Sequence, residues 1–474
     1  MVVLDQFRPD FFRDLISKGS KASENTVSHF LLFFTLLVLE FLRRPDALLN
    51  AQPWSEDGPI FIEQALSNPL GSLVMSYRNY FHTIPRVSTS IAVQFGLSNT
   101  PLIMNFLALL ISAYCMYYIF RPQFRMLVPN DLHRFLLAVF FVCLPCSEIF
   151  LTITNIQWFL LLFLTLWTTM VIFHPGYPVP GFHGIAEMLF AVMAFLSAPL
   201  GIILLPGLMA GVFLKLKANG YKLRSNSMLY LLPLIASAGY FIACSVRTSS
   251  LNLGFPPLIP VLNMIVSQIF IKLFLYNIYN LNNFGAYIFT LGIIAFLFIA
   301  SAVRKDYKID FWIIALFVLY IAIIMLFRPQ YFANFTSLDV VVPLTRFLFY
   351  PMALVLILLF RHISTFRFSK MRIIVYVLLL LIFVNILISY PIPPFQDYQW
   401  RSAIEGYDPH GAMFYYIPQN PPTTYLKLPA NYRFIQEHVA KGDLAVMDSN
   451  YVYAPNTSAE SWENRFRYFG EWDG

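Results

Sequence analysis

Runs of apolar residues long enough to cross a bilayer, each fenced by charge, leave this chain few folds to choose from. They fall at 26–42, 100–120, 134–151, 157–173, 184–199, 200–216, 227–246, 284–303, 309–327, 347–360 and 372–390. In lipid, a backbone N–H or C=O without a partner costs several kcal/mol, so an apolar run of about 20 residues is read as a helix that pairs these groups internally. The expected fold class is an all-α polytopic membrane protein with about eleven transmembrane helices. A further run, 258–281, carries Lys272 and several Asn, and is expected to form re-entrant or interfacial helices. Composition points the same way: 58% of the 474 residues are hydrophobic and 12% are charged, which excludes a soluble domain.

The net charge of +7 calls for no nucleic acid, because Lys and Arg gather in cytoplasmic loops. With the N-terminus inside, 18 of the 32 Lys and Arg fall on the cytoplasmic side, and 8 in short outer loops. The expected topology is therefore a cytoplasmic N-terminus and an external C-terminus. Were 258–281 to cross, every later charge would change sides. Residues 1–23 are charged throughout and carry no signal-peptide pattern. All four cysteines lie in apolar runs, so Cys143 and Cys146 are expected to pack rather than to bind metal.

Two outer regions are large, the loop 43–99 and the tail 391–474. The domain reading is a transmembrane module, 1–390, and a small external cap, 391–474, whose segment 442–455 can form a strand pair. Within the loop, 52-QPWSEDGPIFIEQAL-66 sets Glu56 and Asp57 after Trp54 and before a Gly-Pro. Ser55 or Asp57 could cap the following helix, with Pro59 in its first turn. Capping explains one acidic residue and not two.

Other polar groups also gather at this side. Glu40 and Glu148 sit near outer ends of spans, where an ionisable group needs a partner or a wet cavity. The loop 152-TITNIQW-158 offers Asn155, Gln157 and Trp158. The outer cations are Arg78, Arg86, Lys272, Arg328 and Arg346, joined by His82; Arg78, His82 and Arg86 have the i, i+4, i+8 spacing of one helical face. Arg43 and Arg44 are expected to snorkel. The cytoplasmic side shows only scattered Lys and Arg. A transporter site is expected near the midplane, whereas chemistry on a lipid-linked substrate belongs at one headgroup layer, and the latter fits better.

In this plan, and in W-S-E-D-G at 54–58, the chain resembles the GT-C superfamily of integral membrane glycosyltransferases. Segments 59–70 and 77–86 are similar to its interfacial helices, and 152–158 and 339–351 look like its outer loops. Size and the short tail bring the resemblance closest to bacterial glucosyltransferases that decorate O-antigen or related surface glycans. The resemblance implies transfer of a hexose such as glucose from a polyprenyl-phosphate donor to a lipid-linked or surface glycan, at the outer face of the bacterial inner membrane. A separate donor synthase and flippase would supply the donor. Asp57, with Glu56 second, is then the general base for the acceptor hydroxyl. Arg78, Arg86, Arg328 and Arg346, with His82 and Lys272 behind them, would meet the leaving phosphate. Trp54, Glu148, Asn155, Gln157 and Trp158 would contact sugar or acceptor. No cofactor is implied; paired carboxylates can hold a divalent metal, but no ligand set is assembled in the sequence. The alternatives are a transporter or flippase of a lipid-linked or anionic substrate, and a glycan polymerase or ligase.

Overall fold

A computed structural model describes residues 26–77, 80–174, 177, 182–218, 231–240, 256–275, 283–304, 306–333, 335, 345–365, 369–404, 413–420, 424–430, 445–448 and 451–453. Residues 1–23, Arg78, Cys244 and the loop 339–344 lie outside the described residues.

Among these, eight helices have the length and apolar composition of a membrane span: Leu97–Phe120, Thr154–Phe173, Pro199–Lys217, Leu258–Leu275, Asn283–Ala302, Tyr307–Phe327, Arg346–Thr365 and Lys370–Ser389. The chain is thus a multi-pass membrane protein. The first run forms the helix Thr26–Arg43, and Phe182–Phe195 and Leu231–Tyr240 are shorter apolar helices.

The run 134–151 departs from a full span. Its helix, Asp131–Val142, has 12 residues, about 18 Å at 1.5 Å per residue, against a hydrocarbon layer of ~30 Å. Asn130 starts it by accepting the His133 N–H at 3.1 Å. At its other end Arg43 donates to the carbonyls of Val142 and Leu144, with its guanidinium 4.1 Å from the Phe150 ring centre. Arg43 and Arg44 therefore do not snorkel, and both are buried. The orphan carbonyls of a helix end take Arg43 instead of water.

Contacts divide the chain into two compact units. One comprises Met1–Arg43, Leu110–Phe150 and Gln157–Ile392; the other Arg44–Leu109, Leu151–Ile156 and Pro393–Gly474. The large loop thus groups with the tail, whereas the sequence reading separates them at residue 390.

In the first unit the cations read as scattered are organised. Arg361, fully buried, bonds Asp310 at 2.6 Å, Asp306 at 2.5 Å and the carbonyls of Met126 and Leu127 at 2.8 Å. Arg304 reaches the same two aspartates. Glu187 accepts from Arg121 at 2.7 Å and from the hydroxyls of Tyr118 and Tyr177. Glu40 accepts the Ser112 hydroxyl at 2.6 Å. The buried charges of Arg361 and Glu187 survive because each is paired and hydrogen-bonded.

In the second unit the tail adds a four-stranded sheet: β1 (Met413–Gln419), β2 (Thr424–Ala430), β3 (Ala445–Asp448) and β4 (Tyr451–Tyr453), in the order β2-β1-β4-β3. β1 and β2 are antiparallel, β1 and β4 parallel, and β3 and β4 antiparallel. The all-α description holds for the membrane-length segments and gives way in the tail, where β3 and β4 are the pair expected within 442–455. β2 packs against the 58–67 segment, with Leu426 fully buried.

These contacts constrain topology. Asn420 O accepts the Ser55 N–H at 2.5 Å, and Asp46 Oδ2 accepts the Phe395 N–H at 2.7 Å. Asp57 Oδ1 accepts the Thr154 N–H at 3.2 Å. Hydrogen-bonded segments share one side of a membrane, so 157–392 must cross an even number of times. Nine apolar helices lie in that stretch among the described residues. Leu258–Leu275 has the length of a span, which differs from the interfacial reading. Yet its middle is a wide π turn, Met264–Ile271, and it buries Asn263, Ser267, Gln268 and Lys272.

Candidate active site

The acidic motif is a single 3-10 turn, Ser55–Asp57, followed by a wide turn, Gly58–Ile62, and a short helix, Glu63–Ser67. Pro59 sits in the second position of the wide turn, where its missing N–H removes nothing. Ser55 is held at φ 48° and, in the neighbouring loop, Leu151 at φ 57°. Left-handed backbone costs of order 1 kcal/mol or more for a side-chain-bearing residue and persists only where its surroundings enforce it.

Asp57 is fully buried. Its Oδ2 accepts the Trp54 N–H at 2.9 Å, which closes its own turn, and its Oδ1 accepts the Thr154 N–H, which joins the turn to 151–156. Asp57 is thus a cap as well as a staple between two loops. Burial raises its carboxyl to about pKa 7; the bonds from Trp54 and Thr154 oppose the rise, and the charge of Glu56 adds to it. Glu56 is half-buried, with a buried Oε2 that has no hydrogen-bond partner among the described residues; the same holds for the Trp54 indole N–H.

Trp54 packs on Phe395 at 5.3 Å between ring centres. The buried guanidinium of Arg44 lies 4.3 Å from the Phe395 ring centre and 6.0 Å from that of Trp54. Asn420 fastens the motif: besides the Ser55 bond, its side chain accepts the Gln396 N–H and donates to Gln396 O, both at 2.9 Å. Asn155 is buried in the loop that holds Thr154 and bonds back to Thr152. Thr154, Asn420, Phe395 and Arg44 are additions to the residues singled out from sequence. Only Arg44 left a trace there, as a second arginine directly behind a span.

Arg86 and His82 occupy other positions than expected. The helix starts at Thr83, with Pro85 in its first turn, and His82 precedes it at φ 53°. His82 thus lies outside the helix that carries Arg86, so these two do not share the expected helical face. His82 is buried against Tyr80, Phe61 and Tyr77, at 3.6, 5.3 and 5.8 Å between ring centres. Arg86 is buried and donates to Phe81 O, Gln64 Oε1 and Ser72 O at 2.8, 2.7 and 2.8 Å. It pins the 63–75 segment to the helix Thr83–Ala92.

The remaining candidates lie in the first unit. Glu148 pairs with Arg346 at 3.1 Å and accepts the Arg346 N–H at 3.3 Å. Trp158 is buried edge-on to Phe347 at 5.1 Å, and Gln157 opens its helix. Lys272 is buried and within electrostatic reach of Cys146. Arg328 is exposed at the end of Tyr307–Phe327. No group of three His, Cys, Asp or Glu able to hold a metal ion is gathered among the described residues. Compared with known protein families, curated proteins and solved structures, the chain finds no match.

Proposed function

We propose that the chain is a membrane glycosyltransferase that moves a sugar from a polyprenyl-phosphate donor to a glycan acceptor, at the outer face of a bacterial inner membrane. The observation that carries this reading is Asp57, a buried carboxyl fixed by two backbone N–H groups, with its ionisation moved to about pH 7 by burial. Such a group is poised to act as a base at working pH. Asp57 takes the acceptor hydroxyl proton, the acceptor oxygen bonds to the anomeric carbon, and the bond from that carbon to the phosphate oxygen breaks. The products are the glycoside and polyprenyl phosphate. Glu56 and Trp54, with their unpartnered polar atoms, suit a polyhydroxyl ligand. Arg44, whose guanidinium lies 6.0 Å from the Trp54 ring centre, is a cation placed to meet a developing phosphate charge.

A second reading, a transporter or flippase, draws on one observation: the interrupted helix Leu258–Leu275 with Lys272 buried in it, the kind of broken helix that lines transport sites. Proteoliposomes given labelled polyprenyl-phosphate sugars and glycan acceptors separate the two. Sugar appearing on the acceptor supports transfer. Donor that changes leaflet without reacting supports the second reading.

A further inference from the structure

Ser55 turns the chain into Glu56 and Asp57, and it stands at φ 48° directly after the extended Trp54. A residue with a side chain keeps such a left-handed backbone only where its surroundings hold it. The bond on its N–H comes from the tail. Ser55 N–H donates to Asn420 O at 2.5 Å, the Asn420 N–H returns to Pro53 O at 3.4 Å, and Trp54 and Asn420 pair as a parallel bridge. Asn420 is itself buried and fixed through its side chain, which accepts the Gln396 N–H and donates to Gln396 O, both at 2.9 Å. Clamping one peptide in both directions takes a donor and an acceptor on a short stem, which a side-chain amide supplies. Phe395, next to Gln396, packs on Trp54 and donates its N–H to Asp46.

We propose that Asn420 is a positioning residue for Asp57. By holding the backbone of Ser55 in its left-handed form, it aims the Asp57 carboxyl at the Trp54 and Thr154 N–H groups. The path runs from Gln396 through the Asn420 amide to the Ser55 N–H, and through the acidic turn to Thr154. The tail is then a built part of the candidate active site and not a separate cap. Asn420 acts through Ser55 alone and takes no part in proton transfer. The positioning itself stands on geometry; its effect on rate rests on the reading of Asp57 as the base.

The test is hydrogen exchange of the full chain in detergent, read at single amides, because the Thr154 N–H is bonded to Asp57 and reports where that carboxyl sits. Asn420→Ala should speed exchange at Ser55 and at Thr154, each at least about tenfold, while the amides of Thr83–Ala92 in the same unit keep their rates. Ser55→Val, whose β-branch resists a positive φ, should open Thr154 in the same way. Ser55→Gly takes that backbone freely and should leave it closed. Thr154 unchanged in Asn420→Ala overturns the proposal. So does a rise at Thr154 no larger than along Thr83–Ala92, since general loosening would then be the whole effect, and so does equal behaviour of Ser55→Val and Ser55→Gly. In a transfer assay, Asn420→Ala should also move the acid limb of kcat/KM to lower pH by about one unit, as water reaches a carboxyl that burial, beside the charge of Glu56, had raised. A limb that stays in place overturns the proposal as well. A wild type that transfers no sugar would fail the reading of the reaction and leave the exchange result to decide the positioning.

Discussion

Asp57 and Thr154, 97 positions apart, are joined by a hydrogen bond of 3.2 Å from the Thr154 N–H to Asp57 Oδ1, while Oδ2 holds the Trp54 N–H at 2.9 Å. Two loops thereby share one carboxylate, and each of its oxygens faces a backbone donor.

That arrangement makes Asp57→Asn structurally visible despite its near-identical shape. The amide keeps one acceptor and turns an NH2 toward the other N–H, costing about 1–3 kcal/mol. Asp57→Ala leaves two buried N–H groups unpaired and costs more, roughly 2–5 kcal/mol. Thermal unfolding in detergent should rank wild type above Asn and Asn above Ala. An alanine variant as stable as wild type would show that the staple is absent in solution.

The ionisation of Asp57 sets a pH dependence with a definite sign. Its pKa is raised from 3.8 to about 7 by burial, so the folded state holds a proton that the unfolded chain releases. The stabilisation from this group is full below about pH 4 and is lost as pH rises through about 7. Activity runs the opposite way, because a base works ionised: kcat/KM should climb roughly tenfold per unit below pH 7 and level above it. A profile flat from pH 5.5 to 8 would remove Asp57 from the proton transfer.

Arg86 decides between fold and substrate. If its three bonds to Phe81, Gln64 and Ser72 are its task, Arg86→Ala should lose roughly 2–4 kcal/mol of stability, since bonds from a charged donor are the stronger kind. Arg86→Lys should not restore it, because one ammonium cannot reproduce the guanidinium fork. Unchanged unfolding with weakened donor binding would return Arg86 to the phosphate role.

The spans were legible because lipid leaves a long apolar run little alternative to a helix, and Leu97–Phe120 and Tyr307–Phe327 start and stop within a few residues of expectation. The paired acids at 56–57 were legible as a candidate because two carboxylates exceed what a cap needs. Their surroundings were not. Thr154 meets Asp57 from 97 positions away, and Asn420 meets Ser55 through a backbone carbonyl that any residue type supplies. Arg43 looked like an anchor because its partners, Val142 and Leu144, lie about 100 residues away. The face assigned to Arg78, His82 and Arg86 presumed a right-handed helix through His82, whose φ is positive.

Sidedness follows from the bonds that tie loop to tail. If Leu258–Leu275 does not cross, thiols introduced at Pro257 and Asn283 should react with an impermeant maleimide from the same side as one at Ser402, and a thiol at Lys370 from the other. Labelling of Pro257 and Asn283 from opposite sides would mean that another apolar helix, such as Phe182–Phe195, is the one that stays on one side.

The central claim is that Asp57 is the base of a sugar transfer, and it is tested most directly by single-turnover assay of wild type and Asp57→Asn in proteoliposomes. The donor is a labelled polyprenyl-phosphate hexose, the acceptor a lipid-linked glycan, and the temperature well below the variant's unfolding. Wild type should glycosylate the acceptor; the variant should bind donor yet transfer about 10²–10⁴-fold more slowly. An Asp57→Asn protein that transfers at the wild-type rate would contradict the account.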